Sequence, residues 1–298
     1  SDLLTSNGFN ELFNNSLTSS KMETEQGEGF INPEFHVKML NALSIELDVM
    51  RQTMLFSGLQ SIAHNINRKS ADLKMYEFGK TYHKFESGYT ENREISLFMT
   101  GAQLQESWNA TNDKVDFYSL RGALKSILTS LGMTKNIKEA SFEELPFEFG
   151  TKVKIGKKEV AKLGLVSKKI AKSFGIKQDV YFAQINWDAL IELQMMNTTK
   201  FKALPKTMTA RRDFSLLVNE SVKYADIRSI AEQTERKLLR SIGLFDVYEG
   251  DKLPEGKKSY AVKFTFQDDE NTLKDAQIDA VMNKIQAKLE KELGAELR

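Results

Sequence analysis

The chain has 298 residues, of which 41% are hydrophobic and 28% are charged, a composition typical of a globular protein of about two domains. Its 42 Lys and Arg against 41 Asp and Glu leave a net charge of +1, so contact with nucleic acid has to come from local patches. It has no cysteine, no secretory signal and no apolar run near the ~20 residues of a membrane span, so we expect a cytoplasmic protein.

The N-terminal half predicts a sheet covered by helices. Residues 19–29 are polar and without periodicity, which predicts a solvated loop. Apolar residues then recur at spacings of three and four from Met54 to Ile66, the period of an amphipathic helix. Residues 72–85 and 93–101 follow as two predicted strands.

The next segment continues the mixture of helices and strands. Residues 117–132 place leucines and an isoleucine on one side and stop at a glycine, which predicts a helix. Residues 153–167 carry a Gly-Lys turn between two alternating runs, and 178–187 is an apolar strand before a short helix at 188–193. The pattern is typical of an α+β fold.

A second domain is predicted after a change in composition. Residues 197–212 contain five basic side chains and no acidic one, and we place the domain boundary at their start, between 198 and 199. The predicted order beyond it is strand, helix, two strands, helix and a final edge strand, at 213–218, 226–239, 244–250, 258–266, 273–294 and 295–298. This βαββαβ order is that of a ferredoxin-like unit.

Side-chain alternation assigns the faces of the second predicted sheet. The apolar parity is expected beneath the helices and comprises Phe214, Leu216, Val218, Phe245, Val247, Tyr260, Val262, Phe264 and Phe266. The opposite face is predicted to be open. Antiparallel pairing then sets Tyr248 opposite Ser259 and Asp246 opposite Ala261. An aromatic ring beside a carboxylate and a hydroxyl is a known way to hold single-stranded RNA, although Tyr248 could equally be a strand former on a solvated surface.

The segments LPKTMTARRDFSLLV, LFDVYEGDKLPEGKKSYAVKFTFQ, NTLKDAQIDAVMNKI and LGAELR together resemble one known domain. They resemble the ferredoxin-fold anticodon-binding domain that ends the β chain of bacterial phenylalanine–tRNA ligase, over essentially all of 199–298. The segments FNELFNNSLTS, LNALSIELDVMRQTMLFSGLQSIAHNINRKSADLKMYEFGKTYHK and KLGLVSKKIAKSFGI resemble the class II synthetase-like domain of the same chain, which gives 1–198 that identity.

The resemblance implies a site for the anticodon stem-loop of the phenylalanine tRNA. By motif, Asp246, Tyr248 and Ser259 meet the anticodon bases. The segment 197–212 that leads to the first strand of the second domain is called the approach. The basic residues of the approach and of the sheet are assigned to tRNA phosphates: Lys206, Arg211, Arg212 and Lys263. The family often has Phe-Pro where this chain has Thr207 and Met208, which leaves the path of the approach open.

The resemblance also implies that the first domain is not catalytic. Activation with ATP needs two phosphate-binding arginines, and neither is present around MYEFGKTYHK or in a later glycine-rich stretch. Arg51 is expected to be structural or to contact a subunit, Glu77 to be a charge at a strand edge, and His64 and His83 to lie at the surface. We therefore expect no cofactor and no metal here, whereas ATP and magnesium belong to the whole enzyme.

The implied assembly contains two α and two β chains, with the phenylalanine tRNA as partner and neither DNA nor a membrane. The chain starts within an element and without methionine, so we expect an excised C-terminal piece that has no activity alone. Two other functions stay open. One is a free-standing class II-like ATP-dependent ligase, and the other is a general single-stranded RNA-binding protein.

Overall fold

The computed structural model describes residues 1–42, 44–104, 106–109, 111, 113–196, 201, 203–250 and 253–298. The chain divides into two compact units, Ser1–Thr199 and Lys200–Arg298. The predicted boundary between 198 and 199 falls in 197–200, outside the described residues, and it stays a prediction.

The first unit is built on a seven-stranded sheet. Its helices are α1 (Asp2–Ser6), α2 (Ser20–Gln26), α3 (Leu55–Ile66), α4 (Phe117–Ser130), α5 (Lys168–Ser173) and α6 (Trp187–Met196). Its strands are β1 (Asn10–Glu11), β2 (Leu17–Thr18), β3 (Val37–Lys38), β4 (Val49–Met50), β5 (Leu73–Phe85), β6 (Gly88–Thr100), β7 (Ile137–Phe142), β8 (Phe147–Ile155), β9 (Lys158–Val166) and β10 (Val180–Asn186). The large sheet has the order β1-β5-β6-β10-β9-β8-β7, and β2-β4-β3 form a small sheet. In the large sheet β1 pairs with β5 in parallel, and the other neighbours are antiparallel.

Both faces of the large sheet are buried. Alternate residues of β6 pack into a core with α4 and α6, while the intervening residues, such as Phe98, pack with α3 and α5. A side chain at Gly58 of α3 would lie 2.1 Å from the ring of Phe98, so glycine is needed for the helix to approach the sheet. The sheet is therefore a rigid, two-sided layer.

Most of the predicted elements of this unit are present, but residues 19–29 are not a loop. Helix α2 forms there, because the Ser19 hydroxyl accepts a hydrogen bond from the Met22 amide and caps the helix. Glu23 is buried, where it accepts one hydrogen bond from the backbone amide of Gln52 and lies 3.1 Å from the ring of His36. Long-range contacts thus stabilise a helix that local polarity argued against.

The second unit has the predicted βαββαβ order. Its elements are β11 (Ala210–Asn219), α7 (Tyr224–Thr234), β12 (Leu239–Tyr248), β13 (Lys257–Phe266), α8 (Asp275–Leu293) and β14 (Glu296–Leu297). The sheet order is β12-β13-β11-β14, with antiparallel neighbours throughout. Helix α7 ends at Thr234 rather than at the predicted 239, and β12 already begins at Leu239.

The core of this unit lies between one face of the sheet and both helices. Phe264 is fully buried and packs with Val262 and Phe266 against α7 and α8, as alternation predicts. The prediction for Phe245 is wrong, because the pairing of β12 with β13 skips this residue between Leu244 and Asp246. The resulting β-bulge removes Phe245 from the core parity and leaves it 51% exposed. The predicted burial of Val247 is also wrong: it pairs with Tyr260 but is 46% exposed, because it lies near the end of an edge strand.

The approach to β11 is held at the far end of β13. The Thr207 hydroxyl donates to the backbone carbonyl of Asp268, and the Gln267 side chain donates to the Thr207 carbonyl at 2.8 Å. These bonds define the path of the Thr207–Met208 segment that the sequence left open.

We expect Phe264→Ala to destabilise the second unit by ~3–5 kcal/mol, because the change leaves a cavity beneath two helices. Met208→Ala, at an exposed apolar side chain of the same unit, is the control and should change the free energy of unfolding by less than about 0.5 kcal/mol. Urea unfolding of the full chain measures both, and equal effects would contradict the assigned core.

Candidate functional site

The face of the second sheet opposite α7 and α8 carries mostly polar side chains and is called the open face. It comprises Arg211, Asp213 and Ser215 of β11, Asp246 and Tyr248 of β12, and Ser259, Ala261, Lys263 and Thr265 of β13. The register pairs Tyr248 with Ser259 and Asp246 with Ala261, as predicted. One tyrosine ring, two carboxylates and the hydroxyls of two serines and a threonine therefore share one surface with basic groups.

Tyr248 presents a partly exposed ring at one end of the open face. The side chain of this residue is 38% exposed, and its phenol lies close to Gly250, where an added Cβ would be 3.1 Å from the hydroxyl. The guanidinium carbon of Arg298 lies 6.0 Å from the ring centroid. The backbone amide of Arg298 donates to the Ser215 carbonyl at 2.9 Å, so the C-terminus of the chain is fixed beside the ring.

Asp246 and Ser259 differ in their accessibility. Asp246 is exposed and its carboxylate has no hydrogen bond or ion pair with the residues that the structure describes. Ser259 is only 6% exposed, and its hydroxyl lies 3.3 Å from that of Ser215. A ligand can reach the Ser259 hydroxyl only if neighbouring side chains move, whereas it meets Asp246 directly.

The four predicted phosphate contacts occupy different environments. Lys263 lies on the open face with its alkyl chain along Gly243, and Lys206 is exposed in the approach segment. Arg211 is bound to Asp213 by two hydrogen bonds of 2.9 Å, which raise the pKa of its guanidinium. Arg212 points to the helix side, where it pairs with Asp275 at 2.5 Å and lies 3.9 Å from Asp279. Arg212 is therefore not part of the open face.

This arrangement suits a single-stranded nucleic acid. A base can stack on an exposed ring, a free carboxylate can accept hydrogen bonds from a base edge, and lysines at the rim can meet phosphates. The other face of the sheet is packed against two helices, so the strand positions that carry Tyr248 and Asp246 are fixed before any ligand arrives.

A polar cluster lies inside the first unit. The Arg51 guanidinium is 2.9 Å from Glu77 and also donates to the Lys80 carbonyl at 3.0 Å, and Asn14 donates to the second oxygen of Glu77 at 2.7 Å. A side chain at Gly79 would lie 2.3 Å from the guanidinium, so glycine makes room for it. Glu77 is thus buried in the sheet and not at a strand edge.

This cluster does not fit an ATP site. Arg51 is 3% exposed, and its Nε donates to the Lys80 carbonyl while its Nη1 donates to Glu77, so the guanidinium is held inside the sheet. Within the described parts of the chain, no group of three or more His, Asp or Glu residues could hold a metal ion.

Glu94 is a buried carboxyl close to this cluster, and its pKa is shifted strongly upward. Burial raises its pKa to about 7, although hydrogen bonds from Gln184 and Thr81 and the charge of Arg51 act in the opposite direction. One of its oxygens has no partner among the described residues. Near neutral pH this buried carboxyl therefore titrates.

The two histidines named above lie in different settings. His64 is exposed on α3, as expected. His83 is half-buried and stacks on Phe85 at 5.8 Å between ring centroids, and burial lowers its pKa. Neither ring is within hydrogen-bond distance of a described carboxylate.

Solved structures define the class of the fold. The pyrrolysyl-tRNA synthetase of Desulfitobacterium hafniense superimposes with a TM-score of 0.53 over 66% of this chain and 67% of its own. The identity is 13%, so the likeness concerns the fold alone, which is that of class II aminoacyl-tRNA synthetases. No helix among the described residues is long and apolar enough to cross a membrane.

Sequence comparisons define the family. Residues 1–187 match the phenylalanyl tRNA synthetase beta chain CLM domain, and residues 205–298 match the ferredoxin-fold anticodon binding domain. The chain belongs to the phenylalanyl-tRNA synthetase β-chain family, as the resemblance implied.

The curated relatives agree with this family and are longer. The phenylalanine–tRNA ligase beta subunit of Bacteroides fragilis is 39% identical over 98% of this chain, and that of Porphyromonas gingivalis is 37% identical over the whole of it. The subunit of Clostridium acetobutylicum is 32% identical over the same extent. The matches cover 37%, 38% and 37% of these relatives, so the chain spans little more than a third of their length.

Sequence reasoning missed two residues beside the open face. Phe245 was missed because strict alternation has no place for a bulge. Arg298 could have been found, since the predicted order βαββαβ sets the last strand against the first, and β14 does pair with β11.

The pKa of Glu94 predicts a pH-dependent stability. The folded state holds the proton more tightly than the unfolded state, whose pKa is near 4.5, so wild-type stability falls as the pH rises from about 4.5 through about 7. Relative to Glu94→Gln, which does not titrate, the wild-type free energy of unfolding should fall on the order of 3 kcal/mol over this range. Denaturant unfolding at several pH values measures the difference, with Glu86→Gln as the exposed control. A difference that is constant with pH would contradict the buried environment.

The buried pair predicts a second result. Arg51→Met alone should destabilise the first unit by ~3–5 kcal/mol, because the change leaves the Glu77 carboxylate uncompensated. Adding Glu77→Leu should recover part of that loss. Thermal unfolding of both variants tests this. A double variant less stable than the single one would show that Arg51 does not stabilise the unit by compensating the Glu77 charge.

Proposed function

We propose that this chain is the C-terminal part of a phenylalanine–tRNA ligase β subunit and that its open face binds the anticodon loop of the phenylalanine tRNA. The observation that supports this most directly is the partly exposed Tyr248 ring beside the Asp246 carboxylate, which has no partner among the described residues, on the sheet face opposite α7 and α8. Both residues lie in the segment that matches the anticodon-binding domain.

Each group has a defined chemical role in this proposal. Tyr248 stacks on an anticodon base, and Asp246 accepts hydrogen bonds from base N–H groups. Ser259 supports the ring from the neighbouring strand and becomes a contact only after its neighbours shift. Lys263 and Lys206 contact phosphates, which would make binding depend on salt.

Arg298 adds a cation beside the same ring. Its guanidinium can stay on the ring or move to a phosphate. In either position its positive charge attracts the RNA phosphate next to the stacked base. Arg212 is left out of this proposal because its guanidinium is committed to Asp275 on the other side of the sheet.

The first unit serves as a scaffold that packs against the catalytic α chain. Large apolar side chains around its small sheet support an interface, since Phe13 and Leu40 are almost fully exposed and Ile45 is largely so. The ion pair of the buried Arg51 with Glu77 supports a role without ATP chemistry of its own. We infer that ATP and magnesium act elsewhere in an assembly of two α and two β chains. Because translation takes place in the cytoplasm, we expect the chain there.

Tyr248→Ala should weaken the binding of an RNA hairpin with the phenylalanine anticodon loop by ~1–3 kcal/mol, the value of one stacked base. Tyr248→Phe keeps the ring and should bind nearly as well as wild type. Fluorescence anisotropy with a labelled hairpin at fixed salt measures both, and the stability of the chain should not change because the ring lies outside the core.

A hairpin with an altered anticodon separates this function from general RNA binding. The proposed function requires weaker binding of the altered loop, whereas a general single-stranded RNA-binding protein would bind both equally. ATP–pyrophosphate exchange by the chain alone would favour the free-standing ligase instead.

A further inference from the structure

A second aromatic ring lies beside the open face, at the bulge in β12. Phe245 is skipped by the pairing with β13, and its side chain is 51% exposed. The Arg211 guanidinium, which belongs to the open face, lies 5.5 Å from the centroid of this ring. Phe245 therefore faces the same side of the sheet as Tyr248 and not the core.

The guanidinium beside Phe245 is held by an ion pair on the same strand. Two hydrogen bonds of 2.9 Å join Arg211 to the two carboxylate oxygens of Asp213, two residues along the same strand. A guanidinium in a bidentate pair presents a flat surface in a defined plane. Its charge is also largely compensated by the carboxylate, which makes it a poor attractor of a phosphate.

Each of the two rings of β12 lies beside an arginine guanidinium. Arg211 comes from β11 to Phe245, and Arg298 comes from the end of β14 to Tyr248, both from beyond β13. Phe245 and Tyr248 are three positions apart along the strand, which corresponds to about 10 Å. Bases of one splayed loop can reach both positions, with the Asp246 carboxylate between them.

We propose that Phe245 and Arg211 form a second stacking platform, which takes another base of the same RNA loop that Tyr248 binds. Phenylalanine rings and arginine planes both stack on bases. In this arrangement Arg211 acts as a flat partner of a base and not as a phosphate contact. The inference rests on the proposed function and extends it from one base to two.

The test uses the full chain and the anticodon hairpin, with each loop nucleotide replaced in turn by an abasic site. Phe245→Leu keeps an apolar side chain and removes the ring, and it should weaken binding of the intact hairpin about tenfold. For one abasic hairpin this loss should disappear while the loss from Tyr248→Ala remains. A second abasic position should give the reverse. Phe245→Tyr should restore the affinity, and Phe85→Leu, at a partly exposed ring of the first unit, should have no effect.

The role of Arg211 is tested separately by salt dependence. Arg211→Lys keeps the charge and loses the plane, so we expect a loss of about tenfold with an unchanged salt slope, at the same loop position as Phe245→Leu. A phosphate contact would instead tolerate Arg211→Lys, and Arg211→Gln would lower the slope by about one. That second result would overturn the platform.

The failures of the two proposals are distinguishable. If Tyr248→Ala weakens binding and Phe245→Leu does not, or if the loss from Phe245→Leu is the same in every abasic hairpin, the second platform is wrong and the anticodon site stands. If the unaltered chain does not distinguish the anticodon loop from an altered one, the proposed function fails and the platform with it.

Discussion

The burial of one face of a four-stranded sheet beneath two helices is the constraint on which the RNA-binding proposal depends. Phe264 and Val262 have no exposed surface, and they pack with the apolar stripes of α7 and α8. Since successive side chains of a strand point to opposite faces, this packing also fixes which residues lie on the open face. The surface that meets solvent is therefore specified by the core behind it, and moving one strand by a single residue would exchange the two sets.

The bulge in β12 modifies this rule at one residue. Leu244 and Val247 are both on the core parity although they are three apart, because Phe245 is not paired. The strand thereby gains a second ring on the open side without losing its register at Asp246 and Tyr248. Exposure of half a phenylalanine is unfavourable in water, and the Arg211 guanidinium covers part of it. A bulge that re-aims a side chain next to a binding surface is a common use of this irregularity.

The first unit has a synthetase-like fold and contains a buried ion pair in its large sheet. Arg51 and Glu77 neutralise each other inside the sheet, and Asn14 satisfies the remaining carboxylate oxygen. An arginine held in this way compensates the buried carboxylate, which would otherwise be costly to bury. A fold and the site that it carries are separate properties, so a synthetase fold can hold this buried pair in its interior. Burial in the same interior raises the pKa of Glu94, which lies near this pair.

A feature of the fold or the site could be predicted when the residues that determine it are close together in the sequence. The sequence by itself determined the βαββαβ order, the pairing of Tyr248 with Ser259 and the buried parity of β13, because periodicity and hairpin register are local properties. Tertiary structure alone decided that Glu77 is buried against Arg51 and that Phe245 faces outward, and it added long-range contacts to the local Ser19 cap of the helix at 20–26. Helix α2 depends on a Glu23 whose partners are His36 and Gln52, and the direction of Phe245 depends on a skipped partner in β13. Such contacts join residues far apart in the chain, and no local pattern records them.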